Sequence, residues 1–292
     1  RSTQGVSSAA SDVYKRQTLS DSLTSWNSDG FVMGSGADFN ASPQTYVSYN
    51  WKAGTTSGLS GGTITPTAYS FNTTSGVSIV QYDGNSTSGA TVPHGLGVAP
   101  KMVIIKCLDA GETWAVGHDS LGWTKYLRLD TTNAATTTSV IFNDTAPTST
   151  LVTLGNNSIV NTHTTNGYIM YAFADVKGYS QFGSYTGNGN ANGTFVYTGF
   201  RPAYVLLKRT VGADAWQLAD NKRLGYNFKN APLVVSASVA EDDATSYIDI
   251  LSNGFKLRTT GTHVNNNGEL NIYMAFAEFP IVSSNDVPTV AR

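Results

Sequence analysis

The chain repeats itself with a period of about one hundred residues, and that constrains its fold more than any other feature. Val80-Gln81-Tyr82-Asp83-Gly84-Asn85 returns as Gly183-Ser184-Tyr185-Thr186-Gly187-Asn188, so Tyr185 follows Tyr82 by 103 positions. Val98-Ala99-Pro100-Lys101-Met102-Val103-Ile104-Ile105-Lys106 returns as Phe200-Arg201-Pro202-Ala203-Tyr204-Val205-Leu206-Leu207-Lys208, and Glu112-Thr113-Trp114 as Asp214-Ala215-Trp216, both at an offset of 102. Tyr168 to Asp175 closes the first copy and Asn271 to Glu278 the second, again 103 apart. Asn27 to Met33, ending at Tyr46 to Lys52, resembles Leu251 to Leu257 running to Tyr273, which makes it the back half of an earlier copy. Each full copy has the size of a small domain.

Within a copy the punctuation is that of short strands. Val77 to Tyr82, Lys101 to Lys106, Trp114 to Val116, Tyr126 to Leu129, Ser139 to Phe142, Leu151 to Leu154 and Tyr168 to Phe173 are β-branched or aromatic runs between Gly, Asn, Pro and Asp clusters. Roughly eight strands per copy is the density of a sandwich or jelly roll. Lys101 to Lys106 and Pro202 to Lys208 are apolar on both strand faces and are expected to be central strands covered on both sides. No amphipathic helix of three turns is present. The expected fold is all-β: two tandem homologous antiparallel sandwich modules, jelly-roll-like, plus a partial N-terminal repeat. The boundaries follow: a partial repeat over 18–54, a Gly/Ser/Thr linker or edge over 55–76, modules over 77–178 and 179–280, and a tail over 281–292.

Residues 1–17 lack the Gly/Thr/Asn texture of the rest, and Ser7 to Gln17 resembles one reading frame of a transposase-type sequencing-library adapter. They are expected to stand outside the fold, with the natural protein continuing N-terminally.

Charged residues are 13% of the chain and the net charge is -2. With no basic stripe, the counterion release that drives nucleic-acid affinity is missing, and nucleic acid is not an expected partner. No window approaches ~20 consecutive apolar residues, so membrane insertion is not expected either. No export signal is visible. The single cysteine, Cys107, cannot form an internal disulfide, which fits folding in a reducing cytoplasm and an inert, semi-buried thiol.

No residue set calls for chemistry. His94, His118, His163 and His263 are not paired at ligand spacing, and no metal or cofactor is expected. His94 sits in a Gly-rich loop where the second copy has Thr198, as a locally hydrogen-bonded turn residue would. Gly34-Ser35-Gly36 has no helix to follow it, so no nucleophile elbow forms. Glu112 and Asp214, each two residues before a Trp, read as turn acids beside core rings rather than a glycosidase pair. Glu241-Asp242-Asp243 reads as a solvated loop. Asp175 and Glu278 read as strand-end caps, and Gly84-Asn85 and Gly187-Asn188-Gly189 as hairpin turns. The expectation is therefore no catalytic, cofactor-binding or metal residue. The 15 Tyr and 5 Trp among many Asn and Thr suit neutral carbohydrate, on which rings stack while amides bond hydroxyls.

Taken together, Val92-Pro93-His94-Gly95-Leu96-Gly97-Val98-Ala99-Pro100-Lys101, Phe182 to Gly189, Phe195 to Ala203, Leu251 to Arg258 and Ile272 to Glu278 resemble a domain of unknown function common in tailed bacteriophages, usually near the C-terminus of long tail or fibre-like virion proteins. The likeness spans about 24 to 280, and the family offers no catalytic residues to carry over. It implies a non-enzymatic virion component, assembled in the host cytoplasm and extracellular on release. Its partners would be other tail proteins, further copies of itself and host-surface carbohydrate. The alternatives are a tailspike-like polysaccharide-degrading enzyme and a bacterial carbohydrate-binding adhesin module.

Overall fold

A computed structural model describes residues 22–27, 30–165, 167–223, 227, 232–237, 239 and 247–280. The segments 1–17 and 281–292, and the acidic run Glu241-Asp242-Asp243, lie outside the described residues. The N-terminal part contains β1 (Leu23–Trp26), β2 (Phe31–Met33), the one-turn helix α1 (Ala37–Asn40) and β3 (Pro66–Asn72). The first module contains β4 (Val77–Tyr82), β5 (Ala90–Pro93), β6 (Met102–Cys107), β7 (Ala115–His118), β8 (Lys125–Arg128), β9 (Thr136–Thr137), α2 (Ser139–Phe142), β10 (Leu151–Leu154) and β11 (Tyr168–Phe173). The second contains β12 (Ser180–Thr186), β13 (Phe195–Tyr197), β14 (Pro202–Arg209), β15 (Gln217–Asp220), β16 (Leu233–Val234), β17 (Ile248–Leu251), β18 (Gly254–Leu257), α3 (Thr262–Asn265) and β19 (Leu270–Ala277). The chain is all-β with every strand pair antiparallel.

The two modules share one topology. The large sheet of the first runs β3-β4-β11-β6-β7-β8-β9, and that of the second runs β12-β19-β14-β15-β16. Strands β4-β11-β6-β7 and β12-β19-β14-β15 are counterparts by sequence repeat and by neighbour order. Each large sheet carries a small one on its outer face: β5 with β10 in the first module, and β13-β18-β17 in the second. Side-chain alternation then divides the core into three. Val103, Ile105 and Cys107 of β6 join Tyr82, Met170 and Leu154 under the first small sheet. Val205 and Leu207 of β14 join Phe255, Ile250 and Tyr273 under the second. The opposite faces meet each other, with Met102, Ile104, Val116 and Phe173 packed on Leu206, Trp216, Met274 and Phe276. The modules are thus fused back to back into four layers, and β6 is buried at every residue, as its two-sided apolar pattern requires.

Hydrogen bonds cross this inner seam. Trp216 Nε1 donates to Arg128 O at 2.7 Å, Ala135 N to Thr210 O at 2.8 Å and Lys208 Nζ to Thr132 O at 3.1 Å. His118 Nδ1 accepts from Ser120 N, so its other nitrogen carries the proton and donates to Tyr273 O at 3.2 Å. Burial drives the His118 pKa down to about 4. The rim of the seam is covered from the N-terminal part: the Trp51 ring lies edge-on to Phe276 at 5.3 Å and Tyr204 at 5.6 Å, while Tyr49 donates to Asp220 Oδ2 at 2.6 Å.

Three segments differ from the sequence-based expectation. Ser139–Phe142 is not a strand but the single turn α2, because Thr138 caps it by accepting from Val140 N and Asn143 ends it in the left-handed region at φ 50°. Residues 55–76 are more than a linker, since they contain the seven-residue edge strand β3. In the partial repeat, β1-β2 and α1 occupy the order of β17-β18 and α3. However, 46–52, the match to the closing strand β19, forms no strand. Without the front half of a module beside it, that stretch has no sheet to join, and its rings dock on the seam instead.

A candidate binding cleft on the second module

Strand β11 ends at Phe173, and the chain turns through Ala174–Tyr179 straight into β12. Val176 and Ser180 exchange backbone bonds in this turn, and Asp175 Oδ1 accepts from Phe182 N at 2.8 Å. Asp175 therefore caps the start of β12 on the side away from β19. Burial raises its pKa, partly offset by the Phe182 N–H and by Lys101. Between this turn, β12 and the β13–β14 connection lies a cleft of about 480 Å³, lined by Lys177, Ser180, Gln181, Tyr197, Thr198 and Gly199. Gln181 Oε1 is buried there without a partner among the described residues. At the rim, Tyr197 is 62% exposed and Phe195, two residues before it on the same face of β13, is 44% exposed. Rings two positions apart on a strand sit about 7 Å from each other. The site offers a carboxylate, an ammonium, an amide, hydroxyls and two ring faces. It can hold a polar ligand with apolar faces.

The residues singled out in sequence lie elsewhere, apart from Asp175. His94 is fully buried; its Nδ1 accepts from Leu96 N while Nε2 meets Thr148 O, and burial lowers its pKa. Cys107 is fully rather than half buried, and desolvation raises its thiol pKa. Trp216 is core, and Asp214 pairs with Arg209 at 2.7 Å in the preceding turn. Glu112 presents its carbonyl to the buried Lys106, whose ammonium lies 5.9 Å from the Trp114 ring centroid. The matching Lys208 donates to Asp214 O, and its burial brings the pKa down to about 8. Glu278 pairs with Arg201 at 3.2 Å. Among the described residues no group of three His, Cys, Asp or Glu side chains converges, and no helix is long and apolar enough to cross a membrane.

The Gly84-Asn85 and Gly187-Asn188-Gly189 turns are not hairpins, because β4 and β5, like β12 and β13, lie in different sheets; each crossing has a keystone that sequence reasoning passed over. Asn161 Oδ1 accepts from Asn85 N, and its amide donates to Thr87 O and Gly155 O; Asn265 does the same with Asn188 N, Asn190 O and Thr259 O. Both are fully buried. Gly84 and Gly187 admit them closely, for a Cβ there would lie within 2.4 Å of Asn161 O and 2.3 Å of Asn266 O. The signal was the recurring Val160-Asn161 and Val264-Asn265, hidden by an offset of 104 rather than 103.

Over residues 1–280 the chain matches the family described as Domain of unknown function (DUF7483). It belongs to that family. The match takes in the partial repeat and both modules, so the back-to-back pair lies wholly within the span of the DUF7483 match. No curated protein and no solved structure matches the chain.

Proposed function

We propose that this chain is a non-enzymatic structural and adhesion component of a bacteriophage virion, placed in the tail or tail fibre. The observation that carries the reading is the apolar fusion of two like modules through their large sheets. It yields a stiff, charge-poor block whose outer layer presents Phe195 and Tyr197 beside a polar cleft. The likeness of its sequence phrases to phage tail proteins supports the same reading. In it, the block assembles with further copies and with other tail proteins, and the two exposed rings stack on neutral host-surface glycan.

The test has two arms. Mass spectrometry of purified virions should find the chain in the tail fraction, and native mass measurement should find more than one copy per particle. A glycan array should detect neutral saccharides, with binding lost in the Tyr197→Ala protein. Absence from virions, together with a monomer that binds no cells, overturns the proposal. Release of reducing ends from host capsule would make the chain a polysaccharide-degrading tailspike instead.

A further inference from the structure

The two modules differ at one edge. In the first, β3 pairs with the outer edge of β4, setting Ala68 against Gln81, Ser70 against Ile79 and Phe71 against Ser78. The chain just ahead of β3 is tied to β5 as well, since Thr63 N and Ile64 N donate to Thr91 O while Thr91 N donates to the Thr63 hydroxyl. The Phe71 ring then covers Gly95 so closely that a Cβ there would lie 2.9 Å from it.

The second module has the same frame without that strand. By the repeat, Gln81 corresponds to Ser184, Ile79 to Phe182, Ser78 to Gln181 and Gly95 to Gly199. Strand β12 pairs with β19 and, among the described residues, with no other strand. Because Phe182 N turns outward to Asp175, antiparallel alternation makes Phe182 O and both backbone groups of Ser184 face outward as well. Gly199 keeps the left-handed φ of 77° found at Gly95, yet the nearest atom to a Cβ there is the Tyr197 hydroxyl at 3.6 Å. The cleft bounded by Gln181 and Gly199 is the counterpart of the place Phe71 fills. The tight turn Ala174–Tyr179 from β11 into β12 contains no strand of the kind that residues 55–76 place beside β4.

We infer that the outer edge of β12 and the adjoining cleft form an acceptor for an extended strand of a partner polypeptide. That strand runs antiparallel to β12 and seats an aromatic side chain over Gly199. Main-chain bonds to Phe182 O and Ser184 provide affinity, and the aromatic anchor provides selectivity. The occupant's chemistry is read from β3, whose Pro-Thr-Ala-Tyr-Ser-Phe-Asn fits the homologous edge: small and hydroxyl side chains with an aromatic next to the last position. This gives chemistry to the protein neighbour proposed above but does not rest on it, because a strand from any source tests the acceptor.

The probe is a fluorescent peptide with the sequence of residues 63–74, titrated into the whole chain and followed by anisotropy. Expected are saturable micromolar binding and at least about a tenfold loss when the Phe of the peptide is replaced by Ala. Binding should also disappear for a peptide N-methylated on the bonds facing β12. In the protein, Ser184→Pro removes one outward N–H at an edge position where proline is tolerated and should abolish binding without lowering the melting temperature by more than a few degrees. Should that variant fail to fold, the N-methylated peptide decides alone. No binding by the unmodified peptide, or binding indifferent to N-methylation, overturns the inference. So does a dimer of the chain broken by Ser184→Pro, which would make a second copy the occupant.

Discussion

The first module is finished on its outer edge and the second is not. Both share strand order, the buried Asn keystone and the buried Lys at the seam, yet β3 and the residues before it close one and nothing among the described residues closes the other. Duplication reproduces whatever is encoded inside the repeat. An edge strand donated from outside is not copied with it, and the second copy is left with unpaired backbone groups. Natural sheets blunt such edges with short strands, charges or a covering segment. Here Val176 pairs with Ser180, Asp175 takes the Phe182 N–H and the Thr194 hydroxyl donates to Thr186 O, which leaves Phe182 O and Ser184 open among the described residues.

The seam should show the largest effects. Trp216→Ala should cost about 3–5 kcal/mol in urea unfolding, because it empties a fully buried indole site and orphans Arg128 O. Its repeat partner Trp114 is only partly buried, and Trp114→Ala should cost no more than about 2 kcal/mol. Equal losses would mean that the seam is more symmetric than its burial.

Asn161→Ala and Asn265→Ala should each cost about 3 kcal/mol, since each removes three backbone hydrogen bonds made by a fully buried amide. The two values should agree within the error of the experiment, and a large gap would break the claim that the modules share one frame.

Acid should loosen the seam. His118 is neutral when folded, with a pKa pushed down to about 4 by burial, whereas the unfolded chain binds its proton near pH 6.5. The unfolded state then holds more protons between these values, so stability falls as pH drops from about 6.5 to about 4, by about 3 kcal/mol in all. The groups set against His118 are Asp119, which favours its charge, and Lys101, which opposes it. Thermal melts across this range should show the slope, and His118→Gln should flatten it.

The smallest effect reads the missing strand most directly. Gly95→Ala should cost about 2–3 kcal/mol, from left-handed backbone strain plus the Phe71 ring, while Gly199→Ala at nearly the same φ should cost about 1 kcal/mol. Chemical denaturation of the two variants separates them. Similar costs would mean that the space over Gly199 is already filled.

Much of the frame was legible in the residues. The double-sided apolar runs at 101–106 and 202–208 announced central strands, and the offsets located two modules of like topology. The β-branched turn α2 misled, because capping by Thr138 and the left-handed Asn143 outweigh strand propensity over four residues. Of the cleft, only Asp175 was singled out, as a cap. Gln181, Tyr197 and Gly199 become neighbours through pairing and loop placement rather than through any local motif.

The residues alone settled that this is an all-β chain built from a repeated unit, because a period of two in side-chain facing and a period of about one hundred in phrase are both local records. What packs on what was decided only in three dimensions. The faces that meet at the seam, the strand that closes one module and the cleft left where the other has none all depend on contacts between distant segments. Burial there is a property of the pair of surfaces, and neither surface carries it in its own sequence.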